Sequence, residues 1–403
     1  MSQRLLYDIF QAYFDARSNK RTTDNALKFE MDFESRLLGL YDDIVGGTYR
    51  IARSICFISF HPVKREIFAG DFRDRVVHHL IFNYLSPIFE RIFINDVYSC
   101  RIGKGTSYGI RRLDHHIRSC SENYSRDCYV LKLDISGYFM SIDRRILYRK
   151  ITETLAPYRE TAPFDFALVD GLIRQVVFND PVKNCCIKGN RSDWSGLPKS
   201  KSLFFAEPEL GLPIGNLTSQ LFGNLHLDGL DHFVTGTLGC RHYGRYVDDF
   251  FIVHTDREYL KSLVPRIRDF LASDAGLELH PKKISLQHVN RGVPFLGAYL
   301  KPYRTYVGNR TKNASYRRIA EWNERIFRSP TGNFDDPGIA RKFLSSVNSY
   351  LGIMGQFHTY RLRRKLLRIH ADPDFWKRFR IVGDFGKVAK RGKIRKRGKI
   401  PKR

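Results

Sequence analysis

The chain has 403 residues, a formal net charge of +26 and 42% hydrophobic residues, enough apolar content for a large core and a charge that disfavours self-association. Such a charge favours a polyanionic partner, nucleic acid before an anionic membrane surface. The N-terminus lacks the apolar stretch of a secretory signal, no apolar run is long enough to span a bilayer, and the seven cysteines contain no Cys-x-x-Cys pair. A membrane partner, a disulfide framework and a zinc site are therefore not expected, and a soluble protein of a reducing cytoplasm is.

Residues 1–50 are predicted to be helical. Tyr7, Ile9, Phe10, Tyr13 and Phe14 recur at helical spacing, and a second stripe over 26–44 carries Phe29, Phe33, Leu37, Leu38 and Tyr41 on one side; both stripes read as core. Residues 54–60 read as a strand ended by His61-Pro62. A helix opens at Phe72 and runs to Tyr84, and residues 129–134 form a strand that ends in the carboxylate of Asp134. Gly215 begins a turn that leads into a helix reaching Phe233. Residues 243–253 are predicted to be a hairpin with Asp248-Asp249 at its tip, and residues 294–300 a short strand before a turn. Residues 310–380 are helical and basic. The last stretch, from Gly386, is almost only Lys, Arg and Gly, with Arg-Gly-Lys-Ile repeated at 391 and 397; it cannot build a core and is expected to be disordered when unbound. The segment 157–210, with Cys185-Cys186 and Trp194, suggests no function.

The chemistry concentrates in the acids. If the 129–134 strand and the hairpin are neighbours in a sheet, Asp134 and Asp248 converge, and oxygen ligands bridging two magnesium ions ~3.5–4 Å apart form the clamp used for in-line phosphoryl transfer. An Asp-Asp pair alone is common at a turn tip. Here Tyr246-Val247 leads in and Phe250-Phe251-Ile252-Val253 leads out, and adjacent like charges inside apolar sequence repel, which favours a metal site over a plain turn.

With these residues in view, the chain resembles a reverse transcriptase. Tyr246-Val247-Asp248-Asp249 is similar to that family's Tyr-x-Asp-Asp box, and Lys132-Leu133-Asp134-Ile135-Ser136-Gly137-Tyr138-Phe139 to its first catalytic box. The resemblance implies catalysis by Asp134, Asp248 and Asp249, a metal set of these three with Ile135, and two Mg2+ ions. It implies that Phe139 excludes a 2′-hydroxyl on the incoming dNTP; as a residue it can equally be a core aromatic. Lys64-Arg65-Glu66-Ile67 and Asp74-Arg75-Val76-Val77 resemble the fingers segments, with Arg65 and Lys64 on the triphosphate, a task that suits the planar fork of Arg. Residues 98–106 resemble the next box. Pro281-Lys282-Lys283 resembles the palm box whose lysine, here Lys283, lies near the pyrophosphate, and Phe295-Leu296-Gly297 resembles the primer grip. The boxes follow the family's order over roughly 55–300, which is more specific than any one of them.

One box narrows the resemblance. Most of the family has Gln-Gly-x-x-x-Ser-Pro where this chain has Ile214-Gly215-Asn216-Leu217-Thr218-Ser219-Gln220. That form resembles the reverse transcriptases of diversity-generating retroelements, as do residues 72–79 and Asn348-Ser349-Tyr350-Leu351-Gly352. The resemblance implies error-prone copying of a template RNA at adenines. It also implies a structured template RNA, an RNA/cDNA duplex and a basic pentameric accessory protein as partners. Ile214, Gly215 and Gln220 join the dNTP site, and Ile214, Gln220 and Arg65 are candidate fidelity determinants. Ile cannot donate to a sugar or base and so polices geometry less tightly, or it merely fills apolar space.

The expected fold is α/β (α+β), a right-hand polymerase with fingers, an antiparallel-sheet palm and a helical thumb. Its parts are an N-terminal helical extension over 1–50, fingers and palm over 51–300, the thumb over 301–380, and a basic, disordered tail over 381–403. In the thumb, Arg361, Arg363, Arg364 and Lys365 track the phosphate backbone of the duplex. The rival readings are another bacterial reverse transcriptase, such as a phage-defence enzyme, and a non-catalytic RNA-binding scaffold; three retained acids argue against the scaffold.

Overall fold

The strand expected at 129–134 forms as β3 (Tyr129–Asp134), and a computed structural model describes it with residues 2–18, 23–60, 63–328 and 336–391. β3 pairs antiparallel with β6 (Asp249–His254), which pairs on its other edge with β5 (Tyr243–Tyr246). With β7 (Ser285–His288), the sheet order is β5–β6–β3–β7. Val130, Leu131 and Leu133 of β3 are buried, and Phe250, Phe251, Ile252 and Val253 of β6 are all buried, as befits central strands covered on both faces.

The chain divides into two units, at Leu286 and Gln287. In the first, helices α1 (Ser2–Arg17), α2 (Asp24–Glu30) and α3 (Phe33–Val45) form over the expected helical N-terminus. They are not a separate extension: Ile9, Tyr13, Leu37 and Leu40 belong to one core with α4 (Phe72–Ile92), the sheet and the helices that follow. The stripes differ in detail from the expectation. The second is broken at Met31–Asp32, and Tyr7, Phe14 and Leu38 are exposed. Helix α4 runs past Tyr84 to Ile92 with Pro87 inside it. Pro87 forfeits a backbone bond, at about 3 kcal/mol, while Leu85, Ile88 and Phe89 around it are buried, each worth about 1.5–3 kcal/mol. Burial wins.

The remaining helices of this unit are α5 (Thr106–Cys120), the single turn α6 (Tyr138–Ser141), α7 (Arg144–Leu155), α8 (Phe166–Phe178), α9 (Leu217–His226), α10 (Asp228–His232) and α11 (Arg257–Ala275). The expected helix from Gly215 to Phe233 is thus two helices, with Leu227 between them. A small second sheet has the order β2–β1–β4, from β1 (Ser54–Ser59), β2 (Arg65–Ala69) and β4 (Cys185–Ile187). The expected stop at His61-Pro62 lies outside the described residues.

In the second unit, the strand expected at 294–300 is a hairpin, β8 (Val293–Phe295) and β9 (Ala298–Lys301), extended by β10 (Arg304–Val307). Leu296 and Gly297 turn between its strands with positive φ of 47° and 84°, so the Phe295-Leu296-Gly297 box sits at a hairpin tip. Helices α12 (Asn309–Arg328), α13 (Pro337–Gly355), α14 (Tyr360–Lys365) and α15 (Phe375–Arg378) then build a core around Trp322, Phe343, Leu351 and Phe375. The unit begins ahead of the expected border at 300/301.

The tail corrects the expectation of disorder from 381. Strands β11 (Phe379–Val382) and β12 (Lys387–Lys390) pair antiparallel. Val388 is buried, and Asn348 of α13 clamps its backbone, donating to the Val388 carbonyl at 2.8 Å and accepting from its N–H at 2.7 Å. The strand pairing, the buried Phe379 and Val388 and the Asn348 amide together hold a segment that reads as basic linker. The repeat beyond Arg391 lies outside the described residues.

Candidate active site

The sheet register brings the acids together. Asp134, the last residue of β3, faces Asp249, the first of β6, and Tyr246 faces Asp249 from β5. Asp248 precedes Asp249 in the turn. The Asp134 carboxylate accepts from Lys283 Nζ at 2.6 Å, and Lys132 Nζ stands 3.2 Å from Asp249 Oδ1. Asp248 has no such lysine bond: burial, then the negative charge of Asp134 and Asp249, pushes its carboxyl up to about 6. Burial also raises Asp249, opposed by Lys132. The concentrated negative charge has the effect expected of like charges in a poorly solvated site.

This donor set fits a divalent ion. A dication beside Asp134, Asp248 and Asp249 removes the repulsion that raises Asp248, and hard oxygen ligands suit magnesium. Among the described residues no group of three or more His, Cys, Asp or Glu side chains is placed so as to hold a metal ion by itself. Magnesium tolerates this, because it keeps waters and takes substrate phosphates beside one or two carboxylates. Ile135 has a buried apolar side chain, so only its carbonyl is available to a metal.

Of the residues expected at the nucleotide, Arg65 stands on the small sheet and Ile214-Gly215 is pinned against it. Gly215 has φ +133°, and a Cβ there would stand 2.6 Å from the Phe68 carbonyl oxygen. The Phe68 N–H donates to the Ile214 carbonyl at 2.8 Å. The Ile214-Gly215 box is thereby pinned to β2, whose first residue is the exposed Arg65. Arg65 lies close enough to Tyr246 for its charge to act on the phenol. The Ile214 side chain packs on a cluster of Cys56, Phe68, Met140 and Leu203, as does half-buried Phe139, so the apolar-filler reading of Ile214 has direct support. Gln220 is exposed on α9. Lys64 instead donates to the Ser195 carbonyl at 2.7 Å, which ties it to the 190s loop.

Sequence reasoning missed two buried polar centres. Glu66, 1% exposed, accepts from Trp194 Nε1 at 2.6 Å, Ser202 Oγ at 2.7 Å and the Leu203 N–H at 2.6 Å. It locks part of the 157–210 segment onto β2. Arg245, one residue before Tyr246, is wholly buried with Asp231. The strand pattern Tyr243-Gly244-Arg245-Tyr246 gives no sign that the arginine faces inward.

In the second unit, Phe295 is buried and the Gly297 carbonyl accepts from Gly308 N–H at 2.7 Å. Arg361, Arg364 and Lys365 are exposed on α14, while Arg363 is half-buried. Arg361, Arg364, Lys365 and Arg368 line a concavity of about 850 Å³ with Tyr360, Ile369 and Phe385, and no acid lines it. No helix among the described residues is long and apolar enough to cross a membrane.

Comparison with known proteins agrees with this chemistry. Residues 65–300 match the family described as reverse transcriptase (RNA-dependent DNA polymerase). Protein YkfC of Escherichia coli (strain K12) is 23% identical over 303 residues, 67% of this chain and 72% of that protein. Among solved structures, apo telomerase from Candida tropicalis is 10% identical with a TM-score of 0.46, covering 78% of this chain and 58% of that one. A form of the same telomerase truncated from its C-terminal domain gives 11%, a TM-score of 0.44, and 62% and 53%. This chain thus spans little more than half of those telomerase chains. The matched family covers more than half of the sequence and contains every acid of the site: the chain belongs to the reverse transcriptases, the RNA-directed DNA polymerases.

Proposed function

We propose that this chain copies an RNA template into cDNA from dNTPs with frequent errors at template adenines, as the polymerase of a diversity-generating retroelement. Asp134, Asp248 and Asp249 hold the reaction centre, with the Ile135 carbonyl beside them. Bound there, two magnesium ions would supply the charge stabilisation that in-line phosphoryl transfer requires. Lys283, near Asp134, reaches toward the pyrophosphate, and Arg65, with Lys64 at its side, receives the triphosphate. Phe139 closes the sugar side against a 2′-hydroxyl. The Phe295-Leu296-Gly297 tip holds the primer strand, and Arg361, Arg363, Arg364 and Lys365 follow the duplex backbone, sequence-independently. A structured template RNA and a pentameric accessory protein complete the assembly.

The observation that carries the mutagenic reading is Ile214, which stands where most of the family has Gln. Its side chain sits in an apolar cluster and its carbonyl is spent on Phe68, so it offers the nascent pair no hydrogen bond by which a misfit is sensed. A site built to hydrogen-bond its substrate rejects analogues far more strongly than an apolar one. The test is sequencing of cDNA made on an RNA template by the wild type and by Ile214→Gln and Gln220→Pro. Errors concentrated at adenines in the wild type, reduced in the variants, support the reading. Accurate copying by the wild type, with template RNA and accessory protein present, leaves the polymerase and favours another bacterial reverse transcriptase.

A further inference from the structure

Val247 sits at the centre of the Tyr246-Val247-Asp248-Asp249 turn with φ +57°. A β-branched residue in the left-handed region is a genuine outlier, and among the described residues Val247 is the one β-branched side chain with positive φ. Both of its backbone polar atoms are gripped. Its N–H donates to Ser99 Oγ at 3.2 Å, and its carbonyl accepts from Arg245 Nη1 at 3.0 Å.

Each grip is itself held. The Ser99 hydroxyl donates to Asn224 Oδ1 at 2.7 Å, and Asn224 Nδ2 donates back to the Ser99 carbonyl at 2.7 Å. Arg245 pairs with Asp231 through two bonds, Nε to Oδ1 at 2.7 Å and Nη2 to Oδ2 at 2.5 Å. Its Nη2 also reaches the Asn224 carbonyl at 3.2 Å, and Tyr243 donates to Asp231 Oδ1 at 2.6 Å. Arg245 and Asp231 have no exposed side-chain surface. A buried ion pair is weak evidence for stability, since well-packed apolar residues often do as well or better. What this pair supplies is one fixed geometry, with Arg245 Nη1 aimed at the Val247 carbonyl of the turn.

We propose that Ser99 and the Arg245–Asp231 pair are positioning residues: they hold Val247 left-handed and so aim Asp248 and Asp249 at the metals of the reaction centre. This rests on the reading of those aspartates as metal ligands. Backbone strain persists at functional sites where the surroundings over-determine it, and the four-residue turn is held here by two clamps, one on the N–H and one on the carbonyl of Val247, that meet at Asn224.

The test is Ser99→Ala, which removes the acceptor of the Val247 N–H and leaves the ion pair intact, beside Ser99→Thr, which keeps the hydroxyl. Mn2+ binding to the purified protein is read directly by the electron paramagnetic resonance of the free ion. It is compared with the metal half-saturation of primer extension and with thermal unfolding. Ser99→Ala is expected to raise both metal constants roughly five- to tenfold, about what one hydrogen bond is worth, and Ser99→Thr to restore them. Val247→Gly in the Ser99→Ala background is also expected to restore them, because glycine adopts positive φ without a clamp. Metal constants within twofold of wild type in Ser99→Ala, whatever its unfolding temperature, overturn the proposal, as does failure of Val247→Gly to rescue. Asp248→Ala, run in parallel, separates the two levels: if it binds Mn2+ and extends primers like the wild type, the reading of the aspartates has failed rather than the clamp.

Discussion

Replacing Asp248 by Asn is expected to stabilise the metal-free protein while abolishing polymerisation. The Asp248 carboxyl is pushed from 3.8 up to about 6 by burial and by the charge of Asp134 and Asp249. That rise of about two pH units corresponds to about 3 kcal/mol of folding free energy. The folded value lies above the unfolded one, so the protonated acid favours the folded chain. This contribution is present in full below pH 4, is lost progressively as the pH rises to 6, and is gone above it. Asn has the shape of the protonated acid and does not titrate. In EDTA the variant and the wild type should therefore unfold alike near pH 4 and separate above pH 6, the variant then being more stable by about 3 kcal/mol. Each kcal/mol moves the midpoint of a unit this size by about 2 °C, so thermal unfolding followed by circular dichroism across pH 4–8 reads the effect. Millimolar magnesium should raise the midpoint of the wild type and leave that of Asp248→Asn unchanged, because a ligand of the folded state alone stabilises it. Equal stability at pH 7 in EDTA, or a gap that does not change with pH, would refute the reasoning.

Three further outcomes are expected. Gly215→Ala sets a Cβ against the Phe68 carbonyl at positive φ; it should cost about 1–3 kcal/mol in unfolding and raise KM for dNTPs, because it displaces the strand that carries Arg65. Glu66→Gln replaces one of three accepted bonds with a donor facing a donor, and unfolding measurements should show a loss of about 1–3 kcal/mol. Arg361→Ala with Arg364→Ala should weaken binding of an RNA/DNA duplex regardless of sequence and lower the slope of log affinity against log salt by about 1 for each phosphate no longer neutralised.

Legibility in the sequence followed the physics of each signal. β3 was legible to the residue because a short apolar run that ends in a carboxylate is a local signal, and the hairpin at 243–253 because two acids interrupt an apolar run. Helix α4 was cut short because Pro87 is a strong local stop, outweighed by burial that only tertiary packing reveals. Ser99 lies more than a hundred residues before Asn224, Asp231 and Arg245, and the four acquire meaning only when the fold joins them. Glu66 was invisible for the same reason: its partners stand more than a hundred residues away. The hairpin over 379–390 was hidden by its charge, since two buried residues, Phe379 and Val388, leave no periodicity.

Primer extension on an RNA template with magnesium and dNTPs, wild type beside Asp248→Ala, tests most directly whether Asp134, Asp248 and Asp249 form the centre of an RNA-directed DNA polymerase. The expected result is full-length cDNA from the wild type and none from the variant at equal folded protein. Equal extension by the variant, or none by the wild type with template RNA and accessory protein supplied, would contradict that assignment.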